Sequence, residues 1–232
     1  MFFKKYWYAP LVLFMLLTLH FVVCPIKARQ TMVENNSILI IDAGHGGEDG
    51  GAVASDGTLE ADINLDIALR TEMLAEFCGV TTKMTRTSAD IDYPEDADTL
   101  SKMKVADQHS RVDTISSIPG GVLLSIHQNF YPAHAPYGPQ VFFGKAYDSE
   151  AFAVCVQNNL TTLLSPENRR IAAPISEDIF LMKKVSCPAV LVECGFLSNP
   201  NECSKLESEN YRMQLSVVLI GSYLQYIRGY TL

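Results

Sequence analysis

Four side chains in this sequence are of the types that metal-assisted hydrolysis uses: His45, Glu60, His127 and Glu193. Two histidines and a carboxylate form a common catalytic zinc set, with the fourth position left to water. A metal held there lowers the pKa of water toward ~7 and polarises a carbonyl. A second carboxylate then works as general base on the water and as acid on the leaving amine.

Three of the four stand at the ends of apolar runs. Ile38–Ile41 stops at Asp42, and a glycine-rich turn then places His45 between Gly44 and Gly46. Val122–Ile126 stops at His127, and Ala189–Val192 halts at Glu193. Apolar runs without alternation suit strands buried on both faces, as in a parallel sheet. Ligands of open α/β sheets bind at the carboxyl edge. A parallel sheet therefore lines up all three residues, with Glu60 one loop beyond His45. The glycines permit a sharp turn and a close neighbour. A phosphate cradle is disfavoured, because the turn has neither dinucleotide-fingerprint spacing nor a G-K-[ST] ending.

Each residue also has an ordinary explanation. Glu60 opens a helical pattern, where an acid favours the dipole. A single strand-end histidine such as His127 is commonly a satisfied core residue. Glu193 is harder to explain that way, since a buried carboxylate is costly unless paired or metal-bound. Glu48 and Asp49 compete with Glu60 as a ligand, and spacing alone leaves the choice open. His109 on a weak helix and His134 in a proline loop are expected at exposed positions.

Around these residues the chain alternates strands and helices. A helix is expected from Leu59 to about Cys78, with Ile63, Ile67, Leu74 and Phe77 near one face and Gly79 closing it. Val80–Arg86 alternates as a strand, Thr87–Thr99 reads as a surface loop, and Leu100–Ile118 is weakly helical. Gln140–Phe143 is a short strand, Glu150–Leu164 a helix, Ser165–Ser176 a loop and Ile179–Met182 another strand. Gly195 onward reads as a turn, followed by a last helix from about Glu207 to Arg228 with Tyr211, Leu215, Val218 and Leu219 as its stripe. The pattern predicts an α/β fold with a mostly parallel sheet.

Of 232 residues, 48% are hydrophobic and 19% charged, which suits one domain plus an appendage. The appendage is residues 1–29. Lys4 and Lys5 precede Tyr6–Cys24, a run of about 19 residues free of formal charge, near the ~20 that span a bilayer. An uncleaved membrane anchor is favoured over a removed signal. His20, near the outer end of the run, is read as tolerated at the interface. Residues 30–36 read as a linker and 37–232 as the catalytic domain. The net charge of −8 lacks a basic stripe, so no nucleic-acid partner is expected. Six cysteines form no C-x-x-C pair, which argues against a cysteine zinc cluster.

Five stretches together resemble the zinc-dependent N-acetylmuramoyl-L-alanine amidases of the amidase-3 family. They are I-D-A-G-H-G-G-E-D-G-G-A at Ile41–Ala52, E-A-D-I-N-L at Glu60–Leu65, M-T-R at Met84–Arg86, S-I-H-Q-N at Ser125–Asn129 and V-E-C-G-F-L-S-N-P at Val192–Pro200. The resemblance implies a twisted, mostly parallel sheet with helices on both faces. It implies Zn²⁺ held by His45, Glu60 and His127, with Glu193 as the catalytic glutamate. It also implies hydrolysis of the amide between N-acetylmuramic acid and L-alanine in peptidoglycan. Asp42, Asn129 and Ser198 match recurrent positions expected to support the site or touch substrate. Ala43 stands where the family often has proline, and Gln128 fills a variable position.

One anchor before one catalytic domain, without a wall-binding repeat, resembles the sporulation branch of that family. That likeness implies spore-cortex maturation and muramic-δ-lactam formation, with an accessory protein and a muramic-acid deacetylase acting in sequence. It implies an exported enzyme at the forespore envelope. The rival expectations are another exported zinc peptidase cutting within the stem peptide, and a catalytically silent wall-binding protein.

Overall fold

The apolar run that precedes His45 forms strand β1 (Ile38–Ala43) in the computed structural model. Leu39, Ile40 and Ile41 are all fully buried. Leu39 and Ile41 enter one core cluster and Ile40 the other, so both faces of the strand are covered and no alternation is needed. Each such side chain contributes about 1.5–3 kcal/mol on burial.

Residues 37–133 and 135–229 are described, within a compact unit spanning Asn36–Leu232. The expected anchor at 1–29 with its apolar run 6–24, the linker at 30–36, and His134 lie outside the described residues. Among the described residues no helix is long and apolar enough to cross a membrane.

The chain continues through α1 (Glu60–Phe77), β2 (Thr82–Met84), α2 (Leu100–Ser116), β3 (Gly121–Asn129), β4 (Gln140–Phe143), α3 (Ser149–Leu164) and β5 (Ala173–Pro174). It ends with α4 (Phe180–Lys184), β6 (Ala189–Phe196), α5 (Pro200–Glu207) and α6 (Glu209–Ile227). The sheet runs β2-β1-β3-β6-β4-β5. β2, β1, β3 and β6 are mutually parallel, whereas β4 pairs antiparallel with β6 and parallel with β5. Helices cover both faces. One cluster joins β1, β3 and β6 to Ile63 and Ile67 of α1, Phe152 and Val156 of α3, and Leu215 and Leu219 of α6. The other joins Ile40, Leu123 and Leu191 to Ile115 of α2 and Leu181 of α4.

Several expectations fail locally. Ile179–Met182 is not a strand; Phe180–Lys184 forms α4, whose Leu181 and Met182 pack under the sheet. The apolar run Ile179–Met182 is only four residues long and carries too little periodicity to separate the two states. β6 runs on through Gly195 to Phe196, because its neighbour β3 extends to Asn129 and keeps pairing with it. The last helix stands where expected, at Glu209–Ile227, but a separate helix, α5, fills Pro200–Glu207 before it, and the two meet at Ser208, whose φ −74 and ψ 119 are extended. Ala173–Pro174, within an expected loop, adds the edge strand β5. Phe77 is 89% exposed, so the buried face of α1 is carried by Ile63 and Ile67 without it.

Candidate active site

The parallel register places His127 of β3 beside Glu193 of β6, and Asp42 of β1 beside Ser125 of β3. The carboxyl edge thus gathers the strand-end residues, and the N-terminus of α1 brings Glu60 to them. His45, Glu60 and His127 offer ligand atoms that all lie within 4.8 Å of one another. The two imidazole rings meet edge to face at 5.0 Å.

Glu60 is the hub. One oxygen, Oε1, lies 2.9 Å from His127 Nδ1 and accepts from the Gln128 amide at 3.0 Å. The other, Oε2, lies 3.3 Å from His45 Nε2 and accepts from the Ala52 amide at 2.9 Å. Burial opposes its charge, but the two imidazoles outweigh burial and hold the carboxyl far below its ordinary range. Burial likewise opposes protonation of His45, yet Glu60 and Asp49 lift that ring to about 9. Protons therefore compete with any metal for this nitrogen set.

The competing carboxylates separate cleanly. Asp49 Oδ2 sits 2.9 Å from His45 Nδ1, on the side of the ring away from Glu60, and its Oδ1 meets Lys104 Nζ at 2.9 Å. A carboxylate on the outer nitrogen fixes the ring and its tautomer, leaving Nε2 for a ligand. Glu48 is exposed and outside the cluster. His109 is exposed, with its ring against Phe180.

The glycines of the turn allow the close approach. A side chain at Gly44 would overlap the His127 ring. At Gly51, whose φ is +70, a Cβ would stand 2.7 Å from Glu60 Oε2 and 2.8 Å from the His45 ring. His45 itself has φ 60, a strained value for a side-chain residue. Two buried guanidiniums restrain that backbone. Arg86 donates to the carbonyls of Ala43, Gly44 and Ala61 at 2.9, 3.1 and 2.8 Å. Arg111 donates to Ala43 and His45 carbonyls, both at 2.6 Å.

Asp42 anchors Arg111 at 2.7 Å and accepts from the hydroxyls of Ser125 and Thr85 at 2.6 and 2.8 Å. Burial works against its charge, but Arg111 and the two hydroxyls prevail and hold the carboxyl at about 2. Ser198 accepts from the Tyr131 amide at 3.0 Å, and the Asn129 carbonyl accepts from Leu197 at 2.8 Å. Both tie the loop after β3 to the end of β6.

Glu193 is different. Its Oε2 is shut off from solvent and makes no hydrogen bond among the described residues. Burial, reinforced by the Glu60 charge against the pull of His127 and His45, raises its carboxyl to about 7. A carboxyl near neutrality beside a cluster of metal-ligand type is suited to moving a proton. Two imidazoles and a carboxylate converge with no Lys or Arg among them, so the donor set fits a borderline divalent metal. A second grouping, Asp56, Cys203 and Glu207, has no imidazole and two exposed members. All five described cysteines are free.

Sequence reasoning missed Arg111, Lys104 and Gln140. Asp107 and Arg111 stand four apart on α2 and pair at 2.9 Å, a spacing that was visible. The charge of buried Asp42 also called for a cation. Gln140 gave no signal, since its place opposite Glu193 depends on antiparallel pairing of β4. A cavity of about 760 Å³ lies elsewhere, beyond the Phe143 end of β4, where Phe143 is opposite Val190 rather than Glu193.

The chain is similar to known proteins in sequence and fold. The germination-specific N-acetylmuramoyl-L-alanine amidase of Bacillus subtilis (strain 168) is 34% identical over 193 residues, 83% of this chain and 80% of that protein. The CwlD amidase from Clostridioides difficile, solved in complex with the GerS lipoprotein, superposes with a TM-score of 0.79 at 34% identity, covering 82% of this chain and 98% of that one. The catalytic domain of CwlV from Bacillus (Paenibacillus) polymyxa var. colistinus gives 0.67 at 25% identity, over 83% and 98%. With the Amidase_3 family matching residues 39–219, from β1 into the last helix, the chain belongs to the N-acetylmuramoyl-L-alanine amidases.

Proposed function

We propose that this chain hydrolyses the amide between N-acetylmuramic acid and L-alanine of peptidoglycan, with a zinc ion held by His45, Glu60 and His127. The observation that carries the reading is the meeting of this donor set with Glu193, a carboxylate left without a partner at one oxygen. When bound, zinc supplies Lewis-acid polarisation of the carbonyl and acidifies water. The residues do the rest. Asp49 holds the His45 ring, and Arg86 and Arg111 hold its backbone. Glu193 takes a proton from the attacking water and returns it to the departing alanine nitrogen. The raised carboxyl suits both halves of that task, since it gains and loses a proton near neutral pH.

The germination-specific relative and the CwlD structure support a role in spore-cortex maturation, with stem removal preceding muramic-δ-lactam formation by a deacetylase. The GerS complex of that structure supports an accessory lipoprotein as partner. Export with residues 6–24 as anchor to the membrane is the matching placement.

The test is to incubate the purified full-length chain and zinc with peptidoglycan, with and without a candidate accessory lipoprotein, and to identify products by mass spectrometry. Free stems beginning with L-alanine, lost on chelation, are expected. Cleavage within the stem instead would replace the amidase reading with that of a peptidase.

A further inference from the structure

The sheet carries a second chemical signal along the row that starts at Glu193. In the antiparallel ladder Gln140 of β4 stands directly opposite Glu193. Directly opposed residues of such a ladder share a face, about 5 Å apart at Cβ. The Gln140 amide donates to the Ile171 carbonyl at 2.5 Å, and its Oε1 faces Arg170 Nη1 at 3.4 Å. Arg170 therefore lies next in the row, on the β4–β5 flank of Glu193.

Arg170 is a cation without an anion. Among the described residues its partners are neutral: the Tyr137 carbonyl at 3.3 Å, the Gln140 side chain, and the ring of Phe196 at 5.0 Å from the guanidinium carbon. Among the described residues it pairs with no carboxylate. The other cations near this edge are committed. Lys104 meets Asp49, Arg111 meets Asp42 and Asp107, and Arg86 serves backbone carbonyls. Arg170 is half-buried, and an aromatic face beneath a guanidinium sets its plane while leaving its forked edge for a ligand. A forked, oriented guanidinium is the group that reads a carboxylate.

We infer that Arg170 determines specificity by binding a carboxylate on the stem peptide, at the residue that follows the L-alanine released at Glu193. The inference rests on the amidase reading above. An extended peptide advances about 3.3–3.6 Å per residue. The row takes one ladder step of about 5 Å from Glu193 to Gln140 and a further 3.4 Å from the Gln140 oxygen to Arg170, which corresponds to about two residues. That places the anion on the second residue of the stem rather than on its far end. The neighbouring Tyr131 and Tyr137 expose apolar surface beside this path.

The experiment measures steady-state cleavage of two muramoyl-peptides by the full chain with zinc. One has a free carboxylate on the residue after L-alanine, and the other is amidated there. The wild-type protein is expected to prefer the acidic peptide in kcat/KM by about tenfold or more, as a charge-assisted hydrogen bond implies, mostly through KM. In Arg170→Gln, which keeps a polar side chain over Phe196, that preference falls to near one. In Arg170→Lys it is intermediate, because the charge stays but the fork is lost. A wild-type preference near one, or a preference that survives in Arg170→Gln, overturns the inference. Failure of the wild-type chain to release a stem from either peptide, with the candidate accessory lipoprotein present as well as absent, would instead defeat the amidase reading itself.

Discussion

Asp42 and Glu193 are two carboxylates at the carboxyl ends of parallel strands. Both lie on the same face of one sheet, because Ile40 and Leu191, two residues before each, share a core cluster. Yet Asp42 is held at about 2 and Glu193 is raised to about 7. Asp42 has a buried guanidinium and two hydroxyls, whereas Glu193 has an oxygen with no partner. The difference teaches how one edge serves two purposes. The satisfied carboxylate fixes the backbone that carries His45, through Arg111. The unsatisfied one keeps a titratable proton where chemistry needs it.

The sharpest test of that contrast is on turnover. Glu193→Gln should lower kcat by about 10²–10⁴, the range of general acid–base catalysis, while metal content stays at the wild-type level. Product release and metal analysis on the same sample check both, and near-wild-type turnover would end the role given to Glu193.

On stability the order reverses. Asp42→Ala leaves Arg111 with Asp107 alone and strips the Ser125 and Thr85 hydroxyls of their acceptor, which should cost about 3 kcal/mol, the lower end for breaking a buried pair. Thermal unfolding should show a fall of about 10 °C. If Asp42→Ala melts like wild type, the two carboxylates are not divided as argued.

The pH dependence separates them further in the chelated protein. Glu193 titrates at about 7 in the fold against an ordinary value of 4.5, so between the two the folded protein keeps a proton that the unfolded chain has lost. The Glu193 contribution to stability is then fully present below 4.5 and declines by about 3 kcal/mol as pH rises through 7. Asp42, at about 2 against 3.8, acts in the opposite sense. Its contribution, about 2 kcal/mol, is present above 3.8 and lost as pH falls through 2. Denaturant titrations across pH should show Glu193→Gln flattening the upper slope alone. An unchanged upper slope in that variant would refute the assignment.

The smallest expected effect concerns Asp49, a third carboxylate that acts through His45. Asp49→Ala should weaken metal binding about 10- to 100-fold, measured by competition with a chelator. Unaltered affinity would mean that Arg86 and Arg111 suffice to orient the ring.

Much of this was legible in the chain. The apolar runs at Ile38, Val122 and Ala189 marked strands buried on both faces, since no alternation is possible when helices cover both sides. Those runs also placed His127 and Glu193 near the carboxyl edge of the sheet, although β3 and β6 run on to Asn129 and Phe196. Less legible were segments whose state is set by neighbours. Phe180–Lys184 is short, three apolar residues and two lysines, and its helical form follows from the way Leu181 and Met182 fit beneath β6. The direction of β4 had no local signature, and with it went the row from Glu193 to Arg170.

By itself the sequence determined which residues could do chemistry, their order, and the strands that bring them to one edge, because apolar pattern and glycine placement are local properties. It did not choose among Glu48, Asp49 and Glu60 until a family likeness was invoked. The tertiary structure separates them by geometry: Asp49 faces the outer nitrogen of His45, and Glu60 lies between the two imidazoles. It also decided that Asp42 is neutralised and Glu193 is not. Those outcomes depend on charges 69 residues apart in the chain and on a hydrogen bond that is missing, and neither is written in any local stretch.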